Sequence, residues 1–283
     1  MKKALIGILT VSVLAFAVSG CSSGGNGGDA GYLPPDMGSA AGIPDSGATR
    51  QPASGSEAAG LFLSAKGGLA AYFGGEKSAK AALSAGGPGN SARVINEVFS
   101  NPIVISENVG GGTVTGRGSY SASLYISDEL AFFTILMGGA TPNQSVLYRE
   151  TNAYDLAATV TNVTLDDGSF SYLMSGKSVE RNDSAINAAL KTDSSGVPSF
   201  AGAYSAGLSY GYAFTILRSD GLGAKYLLSC AGTVSGAIES SGSMPIPEGT
   251  VTAILGVYDD DDELLYEIDI TDELFAAALS FEK

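Results

Sequence analysis

The chain has 283 residues, 45% of them apolar and 16% charged, with 39 glycines and neither histidine nor tryptophan. That is enough apolar matter for one large folded domain or two small ones, and it excludes a chain disordered throughout. The formal net charge of -14 excludes nucleic acid as a partner, because phosphates demand a basic patch, and the missing histidine argues against zinc and copper sites.

At the start, Lys2 and Lys3 precede an uncharged, mostly apolar run from Ala4 to Val18, which closes on Val18-Ser19-Gly20-Cys21. A basic start, a short apolar stretch and small residues at its end make a secretory signal. The run is short for a bilayer, which needs about 20 apolar residues, and no basic cluster follows it. Its ending resembles the lipobox of bacterial membrane lipoproteins. The resemblance covers this segment alone. It implies cleavage before Cys21, a diacylglyceryl thioether on its sulfur and an acylated, palmitate-type amine. Ser22 in place of Asp implies, by the enterobacterial sorting pattern, delivery to the outer membrane. The expected partner is therefore the membrane of the cell envelope, reached through lipid on Cys21. So acidic a chain is repelled by anionic headgroups, so the acyl chains must hold it, at about 0.8 kcal/mol per buried methylene. Cys230, the other cysteine, is then left without a disulfide partner.

Residues 21–60 read as the lipidated cysteine and a flexible Gly/Ser/Pro tether, with residues 61–283 as the folded domain. The domain opens on an alanine-rich stretch, 61–100, broken by Gly-Gly pairs at 67–68, 74–75 and 86–87. One or two short helices are expected there. One runs from Ala92 to Phe99, with Val94, Ile95, Val98 and Phe99 on one face and Asn101-Pro102 as its stop.

From about residue 103 the period falls to two. Val114, Tyr120, Ala122, Leu124 and Ile126 share one parity; so do Tyr204, Ala206, Leu208, Tyr210, Tyr212, Phe214 and Ile216; and so do Tyr226, Leu228, Cys230, Val234 and Ile238. Such alternation predicts antiparallel strands with one buried face. Glycines inside the runs predict strong curvature. Hairpin tips are expected at Asp166-Asp167-Gly168, Ser219-Asp220-Gly221 and Asp259–Asp262, then a last strand from Leu264 to Ile270 and a short helix from Asp272 to Leu279 capped by Thr271. The fold class is mainly β: a curved antiparallel sheet, as a sandwich or half-barrel, with short N-terminal helices. An internal echo, Phe-Thr-Ile-Leu at 133–136 and again at 214–217, fits two related halves and convergent strand composition equally well.

No catalytic constellation emerges. Gly207-Leu208-Ser209-Tyr210-Gly211 fits G-x-S-x-G, but it lies inside a strand pattern and no histidine can serve the serine. Gly176-Lys177-Ser178 lacks the first glycine of a P-loop, and Ser280–Lys283 places S-x-x-K on the last residues. Cys230 has core parity, so an inert thiol is expected. Two binding possibilities remain. The oxygen-rich cluster Asp259, Asp260, Asp261, Asp262 and Glu263 suits calcium, but the EF-hand spacing is absent and a solvated hairpin tip is the favoured explanation. Tyr204, Tyr210, Tyr212 and Phe214 could line a cavity for an apolar ligand. The sequence thus favours a lipid-anchored structural or binding module over such a carrier, with a hydrolase using paired carboxylates as the third reading.

Overall fold

The computed structural model describes residues 32–73, 94–137, 142–238 and 248–274. The signal segment and Cys21 lie outside them, as do residues 74–93 and most of the helix expected at 272–279. Eight strands form one antiparallel sheet in simple sequence order: β1 (Ile95–Val109), β2 (Gly112–Ile126), β3 (Ser145–Asp166), β4 (Ser171–Thr192), β5 (Pro198–Arg218), β6 (Gly223–Ile238), β7 (Glu248–Tyr258) and β8 (Leu264–Asp269). β1 pairs only with β2, and β8 only with β7, so the curved sheet stays open instead of closing into a barrel. The expected mainly-β fold is present, and all three acidic or Asp-Gly tips are hairpin turns between consecutive strands.

Strands of 22 residues, such as β3 and β4, are several times the usual length, and a sheet that long must coil. Glycine makes the coiling possible. At Gly176, φ is +148°, and an added Cβ would collide with the carbonyl of Ala213 on β5. Asn162, with a positive φ of 51°, marks a bulge where β3 slips register against β4.

Among the described residues two α-helices fill the concave face, one near each end. The helix α1 (Gly55–Phe73) presents Ala58, Leu61, Phe62, Ala65 and Leu69 at helical spacing, all within 2% exposure. Ser54 caps its start: the Ser54 hydroxyl accepts from Glu57 N–H, and the Glu57 carboxylate reaches back to accept from Ala53 N–H, one residue before the cap. Phe62 meets Tyr226 at 5.6 Å and Tyr212 at 6.3 Å between ring centroids. The helix α2 (Glu129–Leu136) is capped by Asp128, whose carboxylate accepts from Ala131 N–H, and it packs Phe132 against Tyr148. Its cluster takes in Ile126, Val146, Ile186, Leu190, Tyr204 and Ile238.

Two expectations are corrected. Residues 94–99 are not helical: β1 runs through them, and Pro102 sits inside this edge strand, where a missing N–H is tolerated. Nor are residues 32–54 a free tether. They lie as a strap across the convex face, with Met37, Ala40 and Ile43 buried. Tyr32 covers Gly207, and Pro35 and Met37 cover Gly211, where any side chain would leave no room. Ser209 donates its hydroxyl to Leu33 O at 2.8 Å. Farther along, Lys225 is 2% exposed and clasps Asp45 and Asp262, each at 2.8 Å, together with Asp260 O at 3.0 Å.

The small-residue face of β5 is therefore also buried where the strap crosses it, rather than open to solvent. Ser209→Asp should cost at least about 2 kcal/mol, the scale of a buried, unpaired polar group. Ser209→Ala, which removes only the hydrogen bond, should cost about 1 kcal/mol. Urea melts of both variants measure the difference, and equal small losses would show that the strap does not cover this face.

Candidate functional site

Alternation along the strands decides what lies between the two helices. On β4 the concave parity runs Met174, Gly176, Ser178, Glu180, Asn182, Ser184, Ile186, so apolar ends flank a polar middle. Across it on β3 lie Glu150, Asn152 and Tyr154, with Tyr154 opposite Asn182 and Asn152 opposite Ser184. β2 adds Tyr120 beside Tyr154. β5 adds Tyr210 opposite Glu180, and Tyr212 opposite Ser178. Glu150, Asn152, Tyr154, Tyr120, Glu180, Asn182 and Tyr210 are all half-buried. The result is a polar, tyrosine-rich trough across the waist of the sheet, bounded by an apolar plug on either side.

Hydrogen bonds organise the trough around its two carboxylates. Glu150 accepts from the Tyr148 hydroxyl and from Asn152 Nδ2 at 2.9 Å, and Asn152 Oδ1 in turn accepts from the Tyr120 hydroxyl at 2.8 Å. Glu180 accepts from the Tyr212 hydroxyl at 2.5 Å and from that of Tyr154 at 3.5 Å. Lys66 of α1 holds its ammonium 5.2 Å above the Tyr212 ring. Burial lowers the Lys66 pKa and the charge of Glu180 opposes that effect. Burial, then the nearby glutamate charge, raises Tyr148 and Tyr154, and the same order of causes raises Tyr210 and Tyr212. Ser178 Oγ and Asn182 Oδ1 are buried without a partner among the described residues.

The four residues expected to line an apolar cavity share one strand face but not one space. Phe214, 1% exposed, and Tyr212, 4%, are sealed in the α1 cluster. Tyr204 belongs to the α2 cluster, and Tyr210 alone of the four is half-open, at the trough. The five residues expected to suit calcium lie together at one hairpin tip. Asp259 to Glu263 form the β7–β8 turn, and one carboxylate oxygen each of Asp259, Asp260 and Asp262 accepts hydrogen bonds there. Asp259 accepts from Asp261 and Glu263 N–H, Asp260 from the Ser46 N–H and hydroxyl, and Asp262 from Lys225. Among the described residues no three acidic groups converge as a metal site. Cys230 is fully buried, and burial pushes its thiol up to about 12.

Glu150, Asn152, Glu180 and Asn182 were missed from sequence. Each has the parity of a core strand but a polar side chain, which was the available signal. Along the strands Glu150 and Glu180 stand six registers apart, about 20 Å, well beyond the roughly 9.5 Å limit for a paired glycosidase mechanism. No protein family model, curated protein or solved structure matches the chain.

Because the native state holds the phenolic protons of Tyr148, Tyr154, Tyr210 and Tyr212 more tightly than an unfolded chain, stability should fall as pH rises past about 10. Tyrosinate absorbance should then appear in two stages, exposed rings first and these four only with unfolding. One smooth titration at the ordinary value would contradict the trough. Cys230 should ignore a thiol reagent at pH 8 until denaturant is added, since its thiolate is suppressed in the native state.

Proposed function

We propose that this is a lipid-anchored protein of the bacterial cell envelope, whose β domain serves as a structural or binding module. The observation that carries the module reading is the filled concave face. With α1 and α2 packed into both ends, the half-barrel keeps a shallow polar trough at its waist, where a carrier of apolar ligands would need a deep apolar interior. The absence of histidine and the separation of the trough carboxylates weigh against the hydrolase reading.

The anchor reading rests on the Val18-Ser19-Gly20-Cys21 ending. Among the described residues no helix is long and apolar enough to cross a membrane; the proposed attachment, lipid on Cys21, rests on that ending alone. Ser22 favours the outer membrane as the destination. The strap sharpens the geometry. Tyr32 is packed on Gly207, and ten residues separate it from Cys21, a span of at most about 40 Å. The domain would therefore sit close to the bilayer, its convex strap side tied toward it.

Replacing Cys21 with Ser should leave the precursor unprocessed and unlabelled by radioactive palmitate, while the wild type is labelled and fractionates with membranes. Normal labelling of the variant would end the lipoprotein reading.

A further inference from the structure

We propose that the Glu180 end of the trough binds a neutral sugar chain through the hydroxyls of one ring. The site carries hydrogen-bonding capacity that the protein does not use itself. Ser178, 1% exposed, has no partner for its Oγ among the described residues, and Asn182 has none for its buried Oδ1. These two residues flank Glu180 along β4, on the concave parity. A buried polar atom left unpaired costs about 1–3 kcal/mol, so two of them on either side of one carboxylate mark a place that a further group completes.

Two opposite charges also face each other there without touching. The Lys66 ammonium stands 5.2 Å from the centroid of the Tyr212 ring, and the hydroxyl of that ring donates to Glu180 at 2.5 Å. Lys66 and Glu180 act on one another through space, yet no ion pair or hydrogen bond joins them. A hydroxyl between them accepts from the ammonium and donates to the carboxylate through one atom. Each Glu180 oxygen keeps an acceptor position for it, since Tyr212 donates to one and Tyr154, at 3.5 Å, to the other. A ligand carboxylate would be repelled by Glu180 and a ligand amine by Lys66, so the group that fits is uncharged. An amide carries its donor and acceptor on opposite edges instead of on one atom.

Aromatic faces lie beside these polar groups. Tyr210 is directly opposite Glu180, and Tyr154 is opposite Asn182. Both are half-buried, and neither ring is stacked on another among the described residues. Such rings suit the C–H face of a sugar, whose rim of hydroxyls then meets Lys66, Glu180 and Asn182. From there the trough continues to Glu150, about 20 Å along the strands, which gives further rings of a chain a place to lie.

The proposal rests on the binding-module reading. Its test is calorimetric titration of the full chain in neutral detergent with maltotetraose, cellotetraose and chitotetraose, each beside its monosaccharide, and with an uncharged tetrapeptide as control. At least one tetrasaccharide should bind saturably and more tightly than its monosaccharide, and the peptide should not bind. Because the ligand is neutral, its affinity should stay within about twofold between about 50 and 500 mM sodium chloride. Glu180→Gln and Lys66→Met should each weaken binding about tenfold, one charge-assisted hydrogen bond apiece. Asp261→Asn, on the distant β7–β8 turn, should change nothing. The wild-type titrations stand whether or not either trough variant folds. No saturable binding of any tetrasaccharide, a monosaccharide or the peptide binding as tightly, a steep loss of affinity with salt, or full affinity in both trough variants would each overturn the proposal. Those outcomes leave the binding-module reading in place; chromatography showing the tetrasaccharide cleaved would remove that reading instead.

Discussion

The packing of Phe62 between Tyr212 and Tyr226 is the contact on which the rest of the molecule depends. An open sheet of this length presents one wide apolar face with no second sheet to cover it. Water would have to meet Phe214, Ile216, Leu228 and Leu255 if α1 were not seated there. Each such side chain contributes about 1.5–3 kcal/mol on burial, so the helix holds the sheet's curvature as much as the sheet positions the helix. Gly68 lets α1 approach β3 closely, because an added Cβ would stand only 3.2 Å from Leu165. α2 does the same for the other end with a much shorter helix. The polar trough exists because neither helix extends to the middle.

Covering both faces gives the central strands an environment that alternation alone does not describe. β5 alternates large and small residues, and the large face is buried as that pattern implies. The small face is buried too, because Gly207 and Gly211 are low enough to receive the rings and thioether of the strap. Lys225 closes this arrangement from β6. Burial by itself would lower its pKa, but the carboxylates of Asp262 and Asp45 outweigh that effect and raise it, so the strap is clasped by a charged pair of contacts near its far end.

Period-two alternation made β2, β5, β6 and the three hairpin tips legible from sequence, since a strand with one buried face leaves a regular imprint. The misread elements lacked such an imprint. Val94, Ile95, Val98 and Phe99 fit a helical face as well as an edge strand whose faces are both partly wet. Phe133-Thr134-Ile135-Leu136 is helical while Phe214-Thr215-Ile216-Leu217 is strand, so the apparent echo breaks there; the Asp128 cap and tertiary packing decide, not the tetrapeptide. In the strap, Met37, Ala40 and Ile43 are three apolar positions in a Gly/Ser/Pro background, too few to announce burial. The trough was hidden for another reason. It is assembled by register between β2, β3, β4 and β5, and register depends on turn lengths and a bulge at Asn162 that no single strand reveals.

The course of the strap also determines how this domain responds to force. It runs in the same direction as β5, from Gly207 at Tyr32 to Leu222 beside Arg50. A pull on the N-terminus therefore first loads Tyr32 on Gly207 and the hydrogen bond from Ser209 to Leu33, then Met37 on Gly211, and only later the Lys225 clasp. Those early contacts can yield one after another while the eight-stranded sheet and its helices stay intact. Tension would lengthen the connection by releasing the strap, giving the domain a mechanical fuse ahead of its core.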